Sequence, residues 1–319
     1  MALLVNILAG VGLFAIIYIA SYPVRALYEY FIRPSSLARY LSEDVSHPSW
    51  ALVTGSTDGI GLGFAHELCA RGFNILLHGR NVDKLQRVKA ELLAAFPSRS
   101  VTIATADASK YDDAGLYKLA EQASNLPDGG RLRVLVNNVG GAHNVIGKGI
   151  FHLLADTTGD EIDTLINVNI RFPARLTAAL LPALTSKSNL PSLIINLGSI
   201  AGVAHNPYLV VYSAAKAFNL SFSAALGKEM KAEGHNVEVL GFVIGSVDTP
   251  GAPAASQGGI SVMTPRQMAQ ACLNRSGCGK WILEGTWSHW SLMRFMNFVP
   301  DSIVVNKLKE LYLKEKRGK

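Results

Sequence analysis

Tyr212 and Lys216 stand four residues apart in the run Tyr-Ser-Ala-Ala-Lys, so a helix through this segment projects both side chains from one face. A phenol beside an ammonium is a proton donor whose acidity the neighbouring charge can tune. Ser199 lies thirteen residues before Tyr212, at the end of the apolar run Leu193 to Leu197. Its hydroxyl suits an oxygen that gains negative charge. Asn169 falls in a helix-like stretch further upstream. Together these groups suit protonation of a carbonyl oxygen, the proton half of ketone reduction. A Tyr-x-x-x-Lys pair alone is as readily a surface helix pair, so the reading depends on what surrounds it.

A nucleotide-type turn precedes it. Ala51-Leu52-Val53 has the character of a buried strand, and Thr54-Gly55-Ser56-Thr57-Asp58-Gly59-Ile60-Gly61 leads from it into a helical pattern over Leu62 to Ala70. Gly55 can make the tight turn. Gly59 and Gly61 let a pyrophosphate approach the backbone and the helix pack on the sheet. The helix start offers unpaired N–H groups and a positive dipole end. The spacing G-x-x-x-G-x-G departs from G-x-G-x-x-G and is a weak signal by itself. Arg80 follows the second strand, nineteen residues after Gly61, where an acidic residue would bind the ribose 2′-hydroxyl of NAD. An arginine there can instead bond a 2′-phosphate, which favours NADP(H).

These pieces, with Asp107 after the third strand and Asn137-Asn138-Val139-Gly140 after the fourth, resemble the short-chain dehydrogenase/reductase family over about residues 48 to 285. Within it, Ser-Thr-Asp-Gly-Ile-Gly and Val-Asn-Asn-Val-Gly are most similar to the membrane-bound very-long-chain 3-oxoacyl-CoA reductases and their 17β-hydroxysteroid dehydrogenase relatives. The resemblance implies a catalytic tetrad of Asn169, Ser199, Tyr212 and Lys216. In it, Lys216 also holds the nicotinamide ribose, and Asn169 shapes its helix and holds a water linking Lys216 to solvent. It places Asp107 at the adenine, Asn138 at the cofactor-side turn, and Val247 and Thr249 among the cofactor contacts. It also implies hydride transfer from the pro-S face. One departure stands out: the family's Pro-Gly after the sixth strand reads Ile244-Gly245 here.

Of 319 residues, 49% are hydrophobic, a high fraction that points to a membrane-associated part. Residues 1–24 read as a transmembrane anchor. Ala2 to Ala20 is almost wholly apolar, and nineteen residues at about 1.5 Å rise give roughly 28 Å, close to the hydrocarbon thickness. A cleaved signal peptide would carry a basic start and a shorter apolar core. Arg25, Arg33 and Arg39 follow the span and none precedes it, which places the bulk of the chain on the cytosolic side. Residues 25–47 read as a membrane-surface linker and 48–290 as the catalytic domain. Residues 291–319 read as a basic tail, whose Lys316-Arg317-Gly318-Lys319 end resembles a retrieval signal of the endoplasmic reticulum. Four of the six net positive charges lie in the last thirteen residues, so the basicity is a tail and not a nucleic-acid groove. Cys69, Cys272 and Cys278 have no metal-ligand spacing and read as packing or surface thiols, with no metal expected.

From Trp50 onward, strand-like runs alternate with helical patterns, which predicts an α/β fold of Rossmann type with a doubly wound parallel sheet. Residues 245 to 265, rich in Gly, Ala, Ser and Pro, read as a lid over the substrate. The aromatic segment from Trp281 suits either a membrane-surface element or a helix packed on its own domain. The resulting expectation is a reductase of the endoplasmic reticulum membrane, using NADPH on a hydrophobic ketone, foremost a 3-oxoacyl thioester. A sterol or polyketide-like ketone is the near alternative, and a non-catalytic dinucleotide-binding scaffold the distant one. A homodimer is compatible with a sequence that does not fix oligomeric state.

Overall fold

Apolar strands that carry no polar face must be covered on both sides, and amphipathic helices between them supply the cover. The computed structural model, which describes residues 1–186, 190–250 and 262–317, is built this way. In chain order the elements are α1 (Ala2–Leu27), β1 (Ser49–Thr54), α2 (Gly59–Ala70), β2 (Asn74–Gly79), α3 (Val82–Ala95), β3 (Val101–Thr105), α4 (Asp113–Ser124) and β4 (Arg131–Asn137). Then come α5 (Gly159–Ile166), α6 (Phe172–Leu184), β5 (Ser192–Leu197), α7 (Ala201–Ala204), α8 (Val210–Ala232), β6 (Val237–Val243) and α9 (Pro265–Leu273). Finally β7 (Ile282–Glu284), α10 (Trp287–Met296) and α11 (Asp301–Arg317) complete the chain.

The seven strands form one parallel sheet in the order β3-β2-β1-β4-β5-β6-β7. The period of two along β1 divides its side chains between two cores. Ala51 and Val53 face the core of Phe64, Leu68, Leu85 and Met268 from α2, α3 and α9. Trp50 and Leu52 face that of Leu116, Leu176, Leu180 and Met230 from α4, α6 and α8. The chain changes sides between β3 and β4, so the C-terminal ends of β1 and β4 diverge and open a crevice.

Residues 28–40, expected as a linker, are docked on the domain. Leu37 and Tyr40 are buried in the first core. The Tyr30 hydroxyl donates to Glu284 O at 3.1 Å, and Arg33 Nη2 donates to Ser276 O at 2.9 Å. Arg275 donates to the carbonyls of Glu29 and Tyr30. α1 itself exposes its apolar side chains and is long and apolar enough to cross a membrane. The tail is helical too. Leu308, Leu311 and Tyr312 of α11 pack with Phe151, Leu209 and Tyr212.

Candidate active site

Removal of side chains shapes the turn after β1. A Cβ on Gly61 would sit 2.2 Å from Gly55 O and 2.5 Å from Asn138 Nδ2, so only glycine fits. Gly55 has φ +63° and Gly59 φ +52°, conformations that suit glycine. Thr249 Cγ2 lies 3.2 Å from where a Gly59 Cβ would be and closes the far wall. Asn138 braces the turn, with Nδ2 donating to Thr54 O at 2.9 Å and Gly55 O at 3.1 Å. Thr54 Oγ1 accepts from the N–H groups of Asn138 and Val139 at 3.0 and 3.1 Å. The Ser56 hydroxyl turns into the sheet, where it accepts from His78 N at 3.0 Å and donates to His78 O at 3.2 Å. What Ser56 leaves for a ligand is backbone. The Thr57 methyl packs against Gly79, and Asp58 caps α2 by accepting from Gly59 N at 2.8 Å.

Further along the crevice, the four expected catalytic residues converge. α5 and α6 are joined through a π-helical turn, Asn167–Arg171, that replaces the single regular helix the sequence suggests. Such a turn inserts an extra residue and re-aims a side chain. Here it buries Asn169 completely. Its Nδ2 donates to Leu165 O and Gly141 O, both at 2.9 Å, and its Oδ1 accepts from Gly141 N at 3.0 Å. Asn169 therefore positions the backbone after β4. A Cβ on Gly140 would meet Asn169 Oδ1 at 2.8 Å and Lys216 Nζ at 3.1 Å, so Gly140 lets these two groups approach. Lys216 Nζ donates to Leu197 O at 2.9 Å and lies 5.7 Å from the centre of the Tyr212 ring. The Ser199 hydroxyl stands near enough to the Tyr212 phenol to favour its ionised form, and Ser199 Oγ accepts from Ala201 N at 3.1 Å.

Electrostatics here follow desolvation. Burial pushes the Lys216 ammonium down to about 8, and burial pushes the Tyr212 phenol up, against a smaller opposing effect of the Ser199 hydroxyl. In the protein alone, burial is the dominant influence on the Tyr212 phenol, ahead of any pull from Lys216. Its ammonium is spent on the Leu197 carbonyl and is itself poorly hydrated. The proton stays on the phenol, the form a general acid needs.

One cleft of about 910 Å³ runs from Gly55 and Gly59 past Asn138 and Val247 to Ser199, Tyr212 and Lys216. Just after β2, Arg80 is exposed and makes no salt bridge among the described residues. Its charge reaches Asp107. Burial raises the Asp107 carboxyl, but bonds from Ser109 N and Oγ at 3.0 and 2.7 Å, with the charges of Arg80 and Lys110, bring it below the usual range. Val247 is buried and pairs with Met263, and Asp248 N donates to Met263 O at 2.8 Å. Most of the segment expected as a lid, 251–261, lies outside the described residues, as do Gly318 and Lys319.

Several residues of the cleft carry no signal in the sequence. His289 on α10 is 1% exposed, its Nδ1 accepts from Gly245 N at 3.2 Å, and burial pushes it down to about 4. A Cβ on Gly245 would fall 2.5 Å from His289 Nε2, so the glycine of Ile244-Gly245 seats this ring. Ile244, in place of the family's proline, is buried in the first core. His205 and Tyr208 hold φ of +52° and +63° in the loop between Ser199 and Tyr212. Such strain in non-glycine residues concentrates near functional sites. Tyr208 stacks on Tyr312 of α11 at 4.7 Å. The i, i+3, i+4 spacing of His289, Leu292 and Met293 is the one available hint that this face turns inward.

A family model for short chain dehydrogenase matches residues 49–258. The chain belongs to the short-chain dehydrogenase family. It is 32% identical over 276 residues to the very-long-chain 3-oxoacyl-CoA reductase of Mycosarcoma maydis, covering 85% of this chain and 74% of that protein. A short-chain dehydrogenase from Sphingobium yanoikuyae in complex with NADPH superposes with a TM-score of 0.64 at 23% identity, covering 79% of this chain and 96% of that one. A 3-ketoacyl-(acyl-carrier-protein) reductase from Brucella melitensis complexed with NADH gives 0.63 at 23% identity, over 75% and 98%. Both structures share the fold.

This short-chain dehydrogenase is an oxidoreductase acting on CH–OH and C=O groups, with a nicotinamide dinucleotide as cofactor. The bare glycine cradle fits the diphosphate, and the fit is steric: Gly55 and Gly59 line the cleft without side chains, and a methyl at Gly61 would drive the turn apart against Gly55 O. Gly55 to Gly61 would hold the diphosphate, Asp107 and Arg80 would meet the adenosine end, and Lys216 could bond a ribose hydroxyl. The bound cofactor supplies or accepts a hydride at carbon. The arrangement is chemically able to reduce a ketone: Tyr212 could give its proton to a carbonyl oxygen, and Ser199 could steady that oxygen as it gains charge. Gly140 leaves room for Asn169 and Lys216, and the Leu197 carbonyl holds the Lys216 ammonium.

Proposed function

We propose that this short-chain dehydrogenase is an NADPH-dependent reductase of hydrophobic 3-oxoacyl thioesters. On this reading α1 anchors it in the endoplasmic reticulum membrane with the catalytic domain in the cytosol. The observation that carries the reading is one continuous cleft. The Tyr212–Ser199 hydroxyl pair at its centre faces a glycine cradle on one side and the apolar side chains of Ile150, Phe151, Leu209 and Leu292 on the other. Apolar walls suit an acyl chain. The relatives' activity supports the thioester head, and the free guanidinium of Arg80 at the end of β2 supports a 2′-phosphate.

The test is NADPH oxidation by the detergent-solubilised full-length protein with 3-oxoacyl-CoA and with steroid ketones. Turnover of the thioester is expected, and Tyr212→Phe should lower kcat by about 10²-fold or more while NADPH still binds. Retention of most activity in Tyr212→Phe would overturn the assigned chemistry, and turnover of steroid alone would overturn the thioester. In Arg80→Asp, one lost charge-assisted bond and one new repulsion should shift preference towards NADH by about 2 kcal/mol or more. A wild type that already prefers NADH would remove Arg80 from the cofactor site.

A further inference from the structure

α10 links the apolar N-terminal helix to the reaction centre. At its start, Trp287 stacks on Trp290 at 4.8 Å and lies 5.7 Å from Phe31 and 6.1 Å from Tyr30, the residues that continue α1. Arg294 sits over the Trp290 ring at 5.7 Å and pairs with Glu284 at 3.5 Å. On another face of the helix, His289 and Leu292 line the cleft that holds Tyr212. Leu292 and Phe295 are one helical turn apart, and Phe298 follows in a turn closed by its N–H on Phe295 O at 2.9 Å. Exposure rises along this track, from 38% at Leu292 to 65% at Phe295 and 85% at Phe298. Phe31 and Ile32, at the end of α1, are 66% and 69% exposed.

A soluble monomer rarely leaves so many large apolar side chains together in water. Their attachment identifies what covers them. They continue the surface of α1, a helix that exposes apolar side chains along its length. Aromatic rings mixed with Arg25, Lys280 and Arg294 form the belt that suits lipid headgroups.

We propose that α10 lies in the headgroup region of the bilayer that holds α1. The substrate's acyl chain then passes from lipid along Phe298, Phe295 and Leu292 into the cleft beside Tyr212. This rests on the thioester reading above. Exposing an acyl chain to water is costly for every methylene, so a track that begins in lipid spares a very long chain that step.

The experiment uses the full-length protein in phosphatidylcholine nanodiscs whose acyl chains carry bromine, a contact quencher of tryptophan. Wild-type fluorescence should be quenched, and Trp287→Phe/Trp290→Phe should remove most of the bromine-sensitive signal. Equal quenching of wild type and double variant, or none, would overturn the bilayer contact, as would a second protein copy covering these rings. In the same nanodiscs, Phe295→Ser/Phe298→Ser should lower the ratio of kcat/KM for 3-oxo-octadecanoyl-CoA to that for acetoacetyl-CoA by about tenfold. An unmoved ratio would overturn the route. If the wild type turns over neither thioester, the reductase reading falls and takes the route with it, while the quenching result still decides the surface.

Discussion

On the nucleotide side of the cleft, between the ends of β1 and β4, room is made by absence. Gly55, Gly59, Gly61 and Gly140 carry no side chain, and the polar groups nearby, Thr54, Ser56 and Asn138, are bonded to backbone. The substrate side is built from bulk. Phe151, Leu209, Leu292 and the α11 residues Leu308, Leu311 and Tyr312 come from distant parts of the chain and meet over Tyr212. A surface made by backbone approach tolerates no added atom, whereas an apolar wall can exchange one shape for another at modest cost. The contrast explains how one chemistry can serve many ketones: the cradle is rigidly specified and the wall is open to change.

Each side also buries one histidine, and acid should report both. His78, stacked on Phe172 at 5.1 Å behind Ser56, and His289 behind Gly245 are each pushed down to about 4 by burial. The unfolded chain takes up a proton near pH 6.5, before the folded one does. Stability should therefore be full above about pH 6.5 and fall towards pH 4, by about 3 kcal/mol for each histidine. Urea denaturation across this range is the measurement, and His78→Phe should remove roughly half of the slope. A slope identical in wild type and His78→Phe would show that the nucleotide side does not hold its histidine neutral.

Gly61→Ala breaks the cradle directly. With Gly55 O only 2.2 Å from the new methyl, either α2 or the turn must move. NADPH affinity should fall about 100-fold, or about 2.7 kcal/mol, by fluorescence titration. Affinity within a factor of two of wild type would mean the turn is not the binding surface. On the opposite wall, Tyr312→Ala removes the stack on Tyr208, worth about 1 kcal/mol. KM for the acyl substrate should rise about fivefold with NADPH affinity unchanged, a split that would sharpen the division of labour. Equal losses in both would instead show that α11 supports the whole fold.

Strand and helix periods are local, and so is much of the architecture. β1, β4, β5 and β6 fall where apolar runs stand in the sequence, and α8 carries Tyr212 and Lys216 on one helix as their spacing suggests. The glycine turn and the Tyr212–Lys216 face are likewise local, because one short segment carries all their geometry. Residues 28–40 are the informative exception. One proline, Pro34, and mixed polarity suggest a linker, yet Leu37 and Tyr40 enter the core, Arg275 holds the backbone before them and the Ser276 carbonyl holds the Arg33 side chain. No period shows in so short a segment, and its partners lie far along the chain.

The sequence by itself determined the alternation of strands and helices, the place of the glycine turn, the Tyr212–Lys216 pair on one helix face and the apolar character of α1. Each depends on residue type at short spacing. Only the tertiary structure decided the π-helical turn that aims Asn169, the commitment of the Ser56 hydroxyl to β2 and the seating of His289 on Gly245. It alone set α10 along the cleft and packed α11 against Phe151, Leu209 and Tyr212. These depend on which surfaces meet when distant segments pack, and that is set by the summed burial of both cores, which no short window of sequence contains.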